Sequence, residues 1–597
     1  MAKYKPWLMC CFIFLGLVCA VALVCLCVAS LVDRGCSSDT FKRAAVAADS
    51  QLCSDIGRNM LKQGGSAVDG AIAALLCTSV VNPQSMGIGG GSIITIRNIT
   101  GNVKVYNFRE TVPQSFKKNL LKDCPTAVPP LTTGSQWIGI PGELRGYEVI
   151  HKRYGKLPWA KLFEPTITLA REGFPLPPYL ETLLKYGIVK RRVENSSLCK
   201  VFCNKNKTVL GKSDVLKMPK LAETMETIAE RGADAFYTGQ IGHDLIEDIK
   251  AAGGTITMED LRSFKVRVED AWTVPLGNIT MHIPPPPAGG ALLAFILKLM
   301  KGLPLTPKSL NVDQKIQMYH HYIEAAKFAN GQRSSIRDPL FYTKKIADHL
   351  IDPSFINRTR EMISNRTHDN TYYNVKPSSD NIGTTHVSVL DEDGLAVSAT
   401  STINQLFGGA IYSSRTGIIL NNELTDFCGR ADTVRAGKVT DMNPAFLQQP
   451  IELKTLLNSV IKALLALILS VIVVAGEQPP SSMTPVILET KSGGILVIGG
   501  SGGSMITSAV ALSIINHLWL GMNLKDAIAA PIVFVDSKNN VNFESHFDKK
   551  VKDGLEALGH KIGGWTFFLN VVNAVEKENG CIVAASDKRK MGMSAGY

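Results

Sequence analysis

From Trp7 to Val32 the chain reads WLMCCFIFLGLVCAVALVCLCVASLV, with no charged residue in the run. A segment of this kind crosses a hydrocarbon core of about 30 Å, and that constrains everything after it to fold on one side of a membrane. It is too long for the apolar part of a signal peptide, and no convincing cleavage site is evident. Lys3 and Lys5 precede it, against Asp33 and Arg34 after it, which favours a cytoplasmic N-terminus. The expectation is a cytoplasmic tail at residues 1–6, a transmembrane signal anchor at 7–32 and an extracellular body held at the plasma membrane as a single-pass type II protein.

The remainder agrees with an extracellular setting. Acceptor patterns for N-linked glycosylation begin at Asn98, Asn195, Asn206, Asn278, Asn357 and Asn365. Of the 13 cysteines, Cys10, Cys11, Cys19, Cys25 and Cys27 lie in the apolar run, while Cys53, Cys77, Cys199 and Cys203 are disulfide candidates in an oxidising compartment. No Cys/His spacing of the zinc type occurs among them. The net charge of +12 is spread along the chain in short clusters such as Lys190-Arg191-Arg192 and Lys588-Arg589-Lys590. Such clusters read as solvated faces, and no nucleic-acid partner is expected.

Along the chain, Ala44 to Val80 reads as a short strand and two helices broken at Gly64-Gly65, and roughly 158–265 is helical. PPPPAGG (284–290) is a breaker before an apolar helix. After Thr384-Thr385, the alternation of Val387, Val389, Leu395, Val397 and Ala399 about the turn Asp391-Glu392-Asp393-Gly394 predicts a hairpin with one buried face. GIILNNELTDF (417–427) reads as a strand entering an acidic loop, and 493–521 as strand, glycine turn and helix. Hairpins mixed with helices argue for α+β layers rather than a doubly wound parallel sheet.

Three stretches carry possible chemistry. Gly87-Ile88-Gly89-Gly90-Gly91-Ser92 is a glycine loop that could cradle an anion, but it lacks the Lys-Ser/Thr ending of a phosphate loop and leads into a strand, so it reads as a tight structural turn. Gly499-Gly500-Ser501-Gly502-Gly503 matches the nucleophile elbow of serine hydrolases, with Asp536 or Asp548 and His546 or His560 as triad partners in a short remainder. Glycines throughout suit a backbone cradle for an anionic oxygen at least as well. Gly383-Thr384 offers a third chemistry. A threonine that becomes a chain terminus carries its own base, because a free α-amine titrates near pH 8 and can take the proton of the same residue's hydroxyl.

AAVAADSQLCSDIG, NPQSMGIGGGS, WIGIPGELRGY, PPPPAGGALL, GTTHVSVL, SATSTIN, LNNELTDF, PPSSMTP, GGSGG and the terminal SAGY occur in order and together resemble the γ-glutamyltransferases, or glutathione hydrolases, an N-terminal-nucleophile family. THVSVL, NNELTDFC and FFLNVV look most similar to the leukotriene-C4-cleaving branch. The resemblance implies an αββα sandwich and a chain that cuts itself between Gly383 and Thr384, giving a large subunit (33–383) and a small one (384–597) joined as a non-covalent heterodimer. It implies Thr384 as nucleophile, Thr402 orienting it, and Gly502 and Gly503 as oxyanion donors. Thr385 and His386 take structural places. Arg109 with Ser481 and Ser482 would hold the α-carboxylate of a γ-glutamyl group, and Asn404, Glu423 and Asp426 its α-ammonium.

The implied reaction passes a γ-glutamyl-Thr384 ester to water or to an amino-acid or dipeptide acceptor. Its substrates would be glutathione and conjugates such as leukotriene C4, with no cofactor and no metal. Cys53 with Cys77, and Cys199 with Cys203, match the family's disulfides, and Cys428 and Cys581 have no assignment. An inactive, unprocessed homologue is the alternative reading.

One departure stands out. Between Asp426 and Ser481 the chain is longer than the family pattern, and the excess is an apolar run within about 449–476 that includes TLLNSVIKALLALILSVIVVA. A membrane span there would separate Thr384 from Gly502, so it is rejected. Translated non-coding sequence or an aberrant splice form is expected, with a lid insertion as the second reading.

Overall fold

The computed structural model describes residues 36–37, 39–124, 131, 134–301, 310–342, 346–375, 382–435, 472–565 and 571–597. The expected tail and anchor lie outside them, as does most of the apolar insertion. Among the described residues no helix is long and apolar enough to cross a membrane.

Two antiparallel sheets face one another. The first runs in the order Met593–Gly596, Ala45–Ala48, Thr385–Leu390, Ala396–Thr402, Gly91–Arg97, Val103–Asn107, Arg267–Asp270. The second runs Cys581–Ala585, Val571–Glu578, Ile495–Ser501, Val486–Thr490, Ile279–Ile283, Trp272–Leu276. Helices Gln51–Lys62 and Ala67–Val81 cover the outside of the first, and Gly290–Met300 and Ile506–Ile514 that of the second. The result is an αββα sandwich with α+β order, as the hairpins and helices of the sequence imply.

The expected hairpin is present, with Leu390 opposite Ala396 and Thr385 opposite Ser401. Its alternation sorts two different environments. Val387, Val389, Val397 and Ala399 join the core under helix Ala67–Val81. On the opposite face Ser388 donates to the Asn573 carbonyl (3.1 Å) and Ser398 to the Ile498 carbonyl (3.0 Å) of the facing sheet. Small hydroxyls thus satisfy buried backbone acceptors where the two sheets meet. Residues on both sides of the insertion contribute strands to these two sheets, so both flanks belong to one body.

Three expectations are corrected. GIILNN forms no strand beyond a single bridge between Ile419 and Tyr412. Its backbone bonds are a few local ones, Leu420 N–H to the Ile411 carbonyl (2.9 Å) and Gly409 N–H to the Leu420 carbonyl (2.9 Å), while the Asn421 side chain ties it to other loops: Nδ2 donates to the carbonyls of Gly89 and Gly139 (2.9 Å each), and Oδ1 accepts from Gly139 N–H (2.9 Å). The Lys588-Arg589-Lys590 cluster is no solvated face, since Lys590 is only 3% exposed.

The third correction concerns how the two halves are joined. Cys53–Cys77 and Cys199–Cys203 are disulfides, but so are Cys36–Cys581 and Cys124–Cys428. Each of the latter two spans the 383/384 bond. A chain cut there stays covalently joined, not held by packing alone.

Candidate active site

Thr384 sits at the mouth of strand Thr385–Leu390 with φ +87°, a value a β-branched residue adopts only when its surroundings enforce it. Its N–H donates to the Ser85 carbonyl (3.2 Å). Its carbonyl accepts from Lys590 Nζ at 2.7 Å, and the same ammonium reaches Ser501 Oγ at 2.7 Å and Asp49 at 3.1 Å. Asp49 in turn accepts from the Thr385 hydroxyl (2.7 Å) and Asn573 Nδ2 (2.7 Å), so Thr385 ties the strand to the sheet core.

Gly383, with φ +157°, presses against the Asn404 carbonyl so closely that an added Cβ would lie 1.8 Å from that oxygen. The Gly383 carbonyl accepts the Gly502 N–H at 3.0 Å. Thr384 Oγ donates to Thr402 Oγ at 3.3 Å, and Thr402 Oγ also accepts the Asn404 N–H at 2.8 Å. The loop before strand Gly91–Arg97 explains how Thr402 gets there: a Cβ on Gly90 would fall 2.1 Å from the Thr402 carbonyl. That glycine loop is therefore a close-approach site for backbone.

The geometry disposes of the serine elbow. Ser501 is fully buried with its hydroxyl against Lys590. His386 is buried between Thr400 Oγ (2.8 Å) and Ser388 Oγ (3.0 Å), and burial pushes its pKa down to about 3, so it stays neutral and serves packing.

A cavity open to solvent gathers Thr384, Thr402, Asn404, Arg109, Glu423, Asp426, Ser481, Ser482 and Gly503. Of the catalytic and binding residues that the family resemblance marks, all but Gly502 lie on its wall, and Gly502 adjoins Gly503. Arg109, 1% exposed, reaches Glu423 at 2.5 Å and Asp426 at 2.6 Å, and donates through Nε to the Pro479 carbonyl (2.8 Å) and through Nη2 to the Pro480 carbonyl (2.9 Å). The two sets expected to hold opposite ends of an amino acid are therefore ion-paired with each other. A guanidinium this deeply buried is tolerable only with carboxylates beside it.

Asn404 Nδ2 donates to Thr425 Oγ (2.8 Å), Asp426 Oδ1 (3.0 Å) and the Asn422 carbonyl (3.1 Å), which fixes the amide against the acidic turn Glu423–Phe427. Ser482 Oγ accepts from Arg333 (3.0 Å), and the Ser481 N–H donates to the Pro287 carbonyl (2.8 Å). PPPPAGG, read in the sequence as a breaker and a family motif, thus props the serine pair.

Glu110 and Glu423 are completely buried neighbours. Burial pushes both carboxyls upward; the charge of Glu423 adds to the rise at Glu110 and that of Asp426 to the rise at Glu423, while Arg109 opposes both. Sequence reasoning missed Lys590, Asp49, Ser85, Glu110 and Arg333. Lys590 and Arg333 carry charge in ordinary-looking polar runs, and only the fold shows them buried or turned inward.

One cluster has the residue types of a metal site. The ligand atoms of His320, Glu324 and His560 lie within 4.8 Å of one another. They form a closed relay instead: Lys327 Nζ to His560 Nδ1 (3.0 Å), His560 Nε2 to His320 Nδ1 (2.9 Å), and His320 Nε2 to the Ser364 carbonyl (2.7 Å). One choice of tautomers satisfies every contact without an ion.

Comparison with known proteins places these observations in context. The sequence pattern of the family described as gamma-glutamyltranspeptidase matches residues 53–450 and 470–597, leaving unmatched a stretch inside the apolar insertion. The glutathione hydrolase 5 proenzyme of Rattus norvegicus is 46% identical, covering 98% of each chain. That of Homo sapiens is 46% identical, covering 94% of each. Among solved structures, cephalosporin acylase from Bacillus halodurans superposes with a TM-score of 0.77 at 22% identity, covering 94% of this chain and 96% of that one, a likeness of fold.

Proposed function

The chain belongs to the gamma-glutamyltranspeptidase family and is a glutathione hydrolase of that family, and on that premise we propose that it matures by cutting itself between Gly383 and Thr384 and then works through Thr384. The observation that carries this reading is the pair of contacts around one peptide bond: the Gly502 N–H on the Gly383 carbonyl at 3.0 Å, and Thr402 on the Thr384 hydroxyl at 3.3 Å.

In maturation, Thr384 Oγ attacks the Gly383 carbonyl carbon, and negative charge gathers on the oxygen that Gly502 already faces. Collapse breaks the C–N bond and moves the acyl group to Oγ. Water then hydrolyses the ester, leaving a carboxylate on Gly383 and a free α-amine on Thr384. Lys590, 2.7 Å from the Thr384 carbonyl, places a positive charge close to that amine, which favours its neutral, proton-accepting form.

In turnover the α-amine takes the Oγ proton and Oγ attacks the γ-carbonyl of the substrate. Gly502, joined by Gly503, stabilises the oxyanion, and the amine of the leaving peptide takes up the proton as it departs. The γ-glutamyl ester then passes to water or to an amino-acid or dipeptide acceptor. Arg109, Ser481 and Ser482 hold the α-carboxylate, and Asn404, Glu423 and Asp426 the α-ammonium. Holding both ends leaves only the γ-carbonyl within reach of Thr384, which selects γ-linked over α-linked glutamate. Glutathione and conjugates of the leukotriene C4 type are the substrates this chemistry suits.

The uncharged run 7–32 supports a plasma-membrane anchor with the catalytic body outside the cell. Five of the six glycosylation acceptors, Asn195, Asn206, Asn278, Asn357 and Asn365, are exposed, and Asn98 is half-buried. Release of glutamate from glutathione by the purified, matured protein, and its loss in Thr384→Ala, tests the catalytic reading.

A further inference from the structure

Cys36 is bonded to Cys581, and Phe41 N–H donates to the Ile582 carbonyl (2.7 Å), so the chain enters the body along strand Cys581–Ala585. Cys581 stands opposite Glu578, the last residue of Val571–Glu578, and the tight turn between them is one of several gathered at a single end of the two sheets. Ile495 lies opposite both Lys577 and Glu489, which sets the turn 491–494 beside it. Lys491 N–H donates to the Asn278 carbonyl (3.2 Å), adding the turn between Trp272–Leu276 and Ile279–Ile283. Arg97 ties in the facing sheet: it pairs with Glu489 at 2.5 Å and donates to the Gly394 carbonyl at 3.2 Å, so the turns 98–102 and 391–394 belong to the same end.

Thr384 is at the other end. There the same strands pair Thr385 with Ser401, Thr402 with Gly91 and Ser501 with Val571. Strand Val571–Glu578 runs the whole way between the two ends, about 23 Å. One apolar side chain stands out at the turn end. Ile99, at the tip of the turn closed by Gly101 N–H on the Asn98 carbonyl (3.0 Å), is 65% exposed, more than any other large hydrophobic among the described residues. Leu340, nearly as exposed, marks the cavity end: its N–H donates to Asp338 (3.1 Å), whose carboxylate pairs with Arg267 opposite Asn107.

With residues 7–32 read as the membrane anchor, Cys36 lies four residues beyond Val32, and four residues span at most about 14 Å. A body pinned at Cys36 by its bond to Cys581 cannot turn its cavity end to the bilayer on so short a stem. We propose that the turn end is the membrane-facing surface of this protein, with Ile99 directed at the lipid headgroups, and that the Thr384 cavity stands about 20 Å further out. The cavity then serves peptides dissolved outside the cell rather than ligands lying in the lipid. Asn98 and Asn278, two of the glycosylation acceptors, lie in these turns, which places any sugar on them in the gap between body and bilayer, away from the cavity. This rests on the reading of 7–32 as the anchor.

The test reconstitutes the full-length matured protein in phosphatidylcholine vesicles that carry an energy-transfer acceptor on a small fraction of headgroups. A donor dye is coupled through a bio-orthogonal amino acid in place of Ile99 in one variant and of Leu340 in another, and turnover of γ-glutamyl-p-nitroanilide reports that each is folded. The dye at Ile99 is expected about 20 Å nearer the acceptor plane than the dye at Leu340. Lys491, exposed in the neighbouring turn, gives the same comparison should the dye at Ile99 disturb folding. A dye at Leu340 as near to the lipid as one at the turn end, or nearer, overturns the proposed face while leaving the anchor in place. Protein that does not float with the vesicles overturns the anchor reading, and the face with it.

Discussion

The backbone N–H of Gly502 donates to the carbonyl oxygen of Gly383 at 3.0 Å, and the carbon of that carbonyl is bonded to the nitrogen of Thr384. The donor proposed for the oxyanion in turnover therefore already faces the oxygen on which charge would gather during self-cleavage. One glycine loop serves both reactions because both place an acyl carbon at the same hydroxyl.

Gly383 is the position at which this arrangement is most sensitive. A methyl group there meets the Asn404 carbonyl at 1.8 Å and the residue must keep φ +157°. Gly383→Ala is expected to slow self-cleavage by at least tenfold while secretion of the chain continues. The appearance of the small fragment on reducing gels over a time course measures it.

The two disulfides across the cut predict a particular electrophoretic behaviour. Without reductant the matured protein should run at the size of the whole chain, and with reductant as two fragments. Loss of Cys36–Cys581 alone should leave the halves joined through Cys124–Cys428, and only removal of both pairs should free them. Cys428 directly follows the turn Glu423–Phe427 that carries Glu423 and Asp426, so Cys124→Ala/Cys428→Ala should also raise KM.

Asp426 touches both Arg109 (2.6 Å) and Asn404 (3.0 Å). Asp426→Asn removes the charge while keeping the shape. The loss of one charge-assisted contact to the substrate ammonium, about 1.5–3 kcal/mol, corresponds to a fall of about ten- to a hundredfold in kcat/KM, carried mainly by KM. Steady-state kinetics on γ-glutamyl-p-nitroanilide check this.

Glu143 gives a dependence of stability on pH. It is fully buried, and burial pushes its carboxyl from 4.5 up to about 7 against hydrogen bonds from Tyr147, Ser92 and Ser401. A raised pKa in the folded state means that the neutral form is favoured there. The stability it contributes is therefore complete below about pH 4.5 and is lost as pH rises through about 7, by roughly 3 kcal/mol at most. Glu143→Gln should flatten that part of the profile, gaining on the unaltered protein between pH 5 and 8 in thermal unfolding.

What the sequence made legible follows the reach of its signals. The hairpin that delivers Thr384 and Thr402 was readable because period-two alternation is local and strong. The pocket residues were reached through family motifs, and the fold brings them to one wall. Lys590 was not, because a basic triplet near a chain end looks the same whether solvated or buried, and only contact with Asp49 distinguishes the two. The inter-half disulfides join cysteines 545 and 304 residues apart, a connectivity that spacing does not encode. GIILNN looked like a strand because its apolar content is right, whereas the Asn421 side chain that pins it to the Gly89 and Gly139 backbone carries no periodic signal.

Sequencing the N-terminus of the small fragment released by reduction tests the central claim most directly. The account predicts a chain that begins at Thr384, in step with the appearance of γ-glutamyl hydrolysis. A fragment beginning elsewhere, or an uncut chain that hydrolyses glutathione, would contradict it.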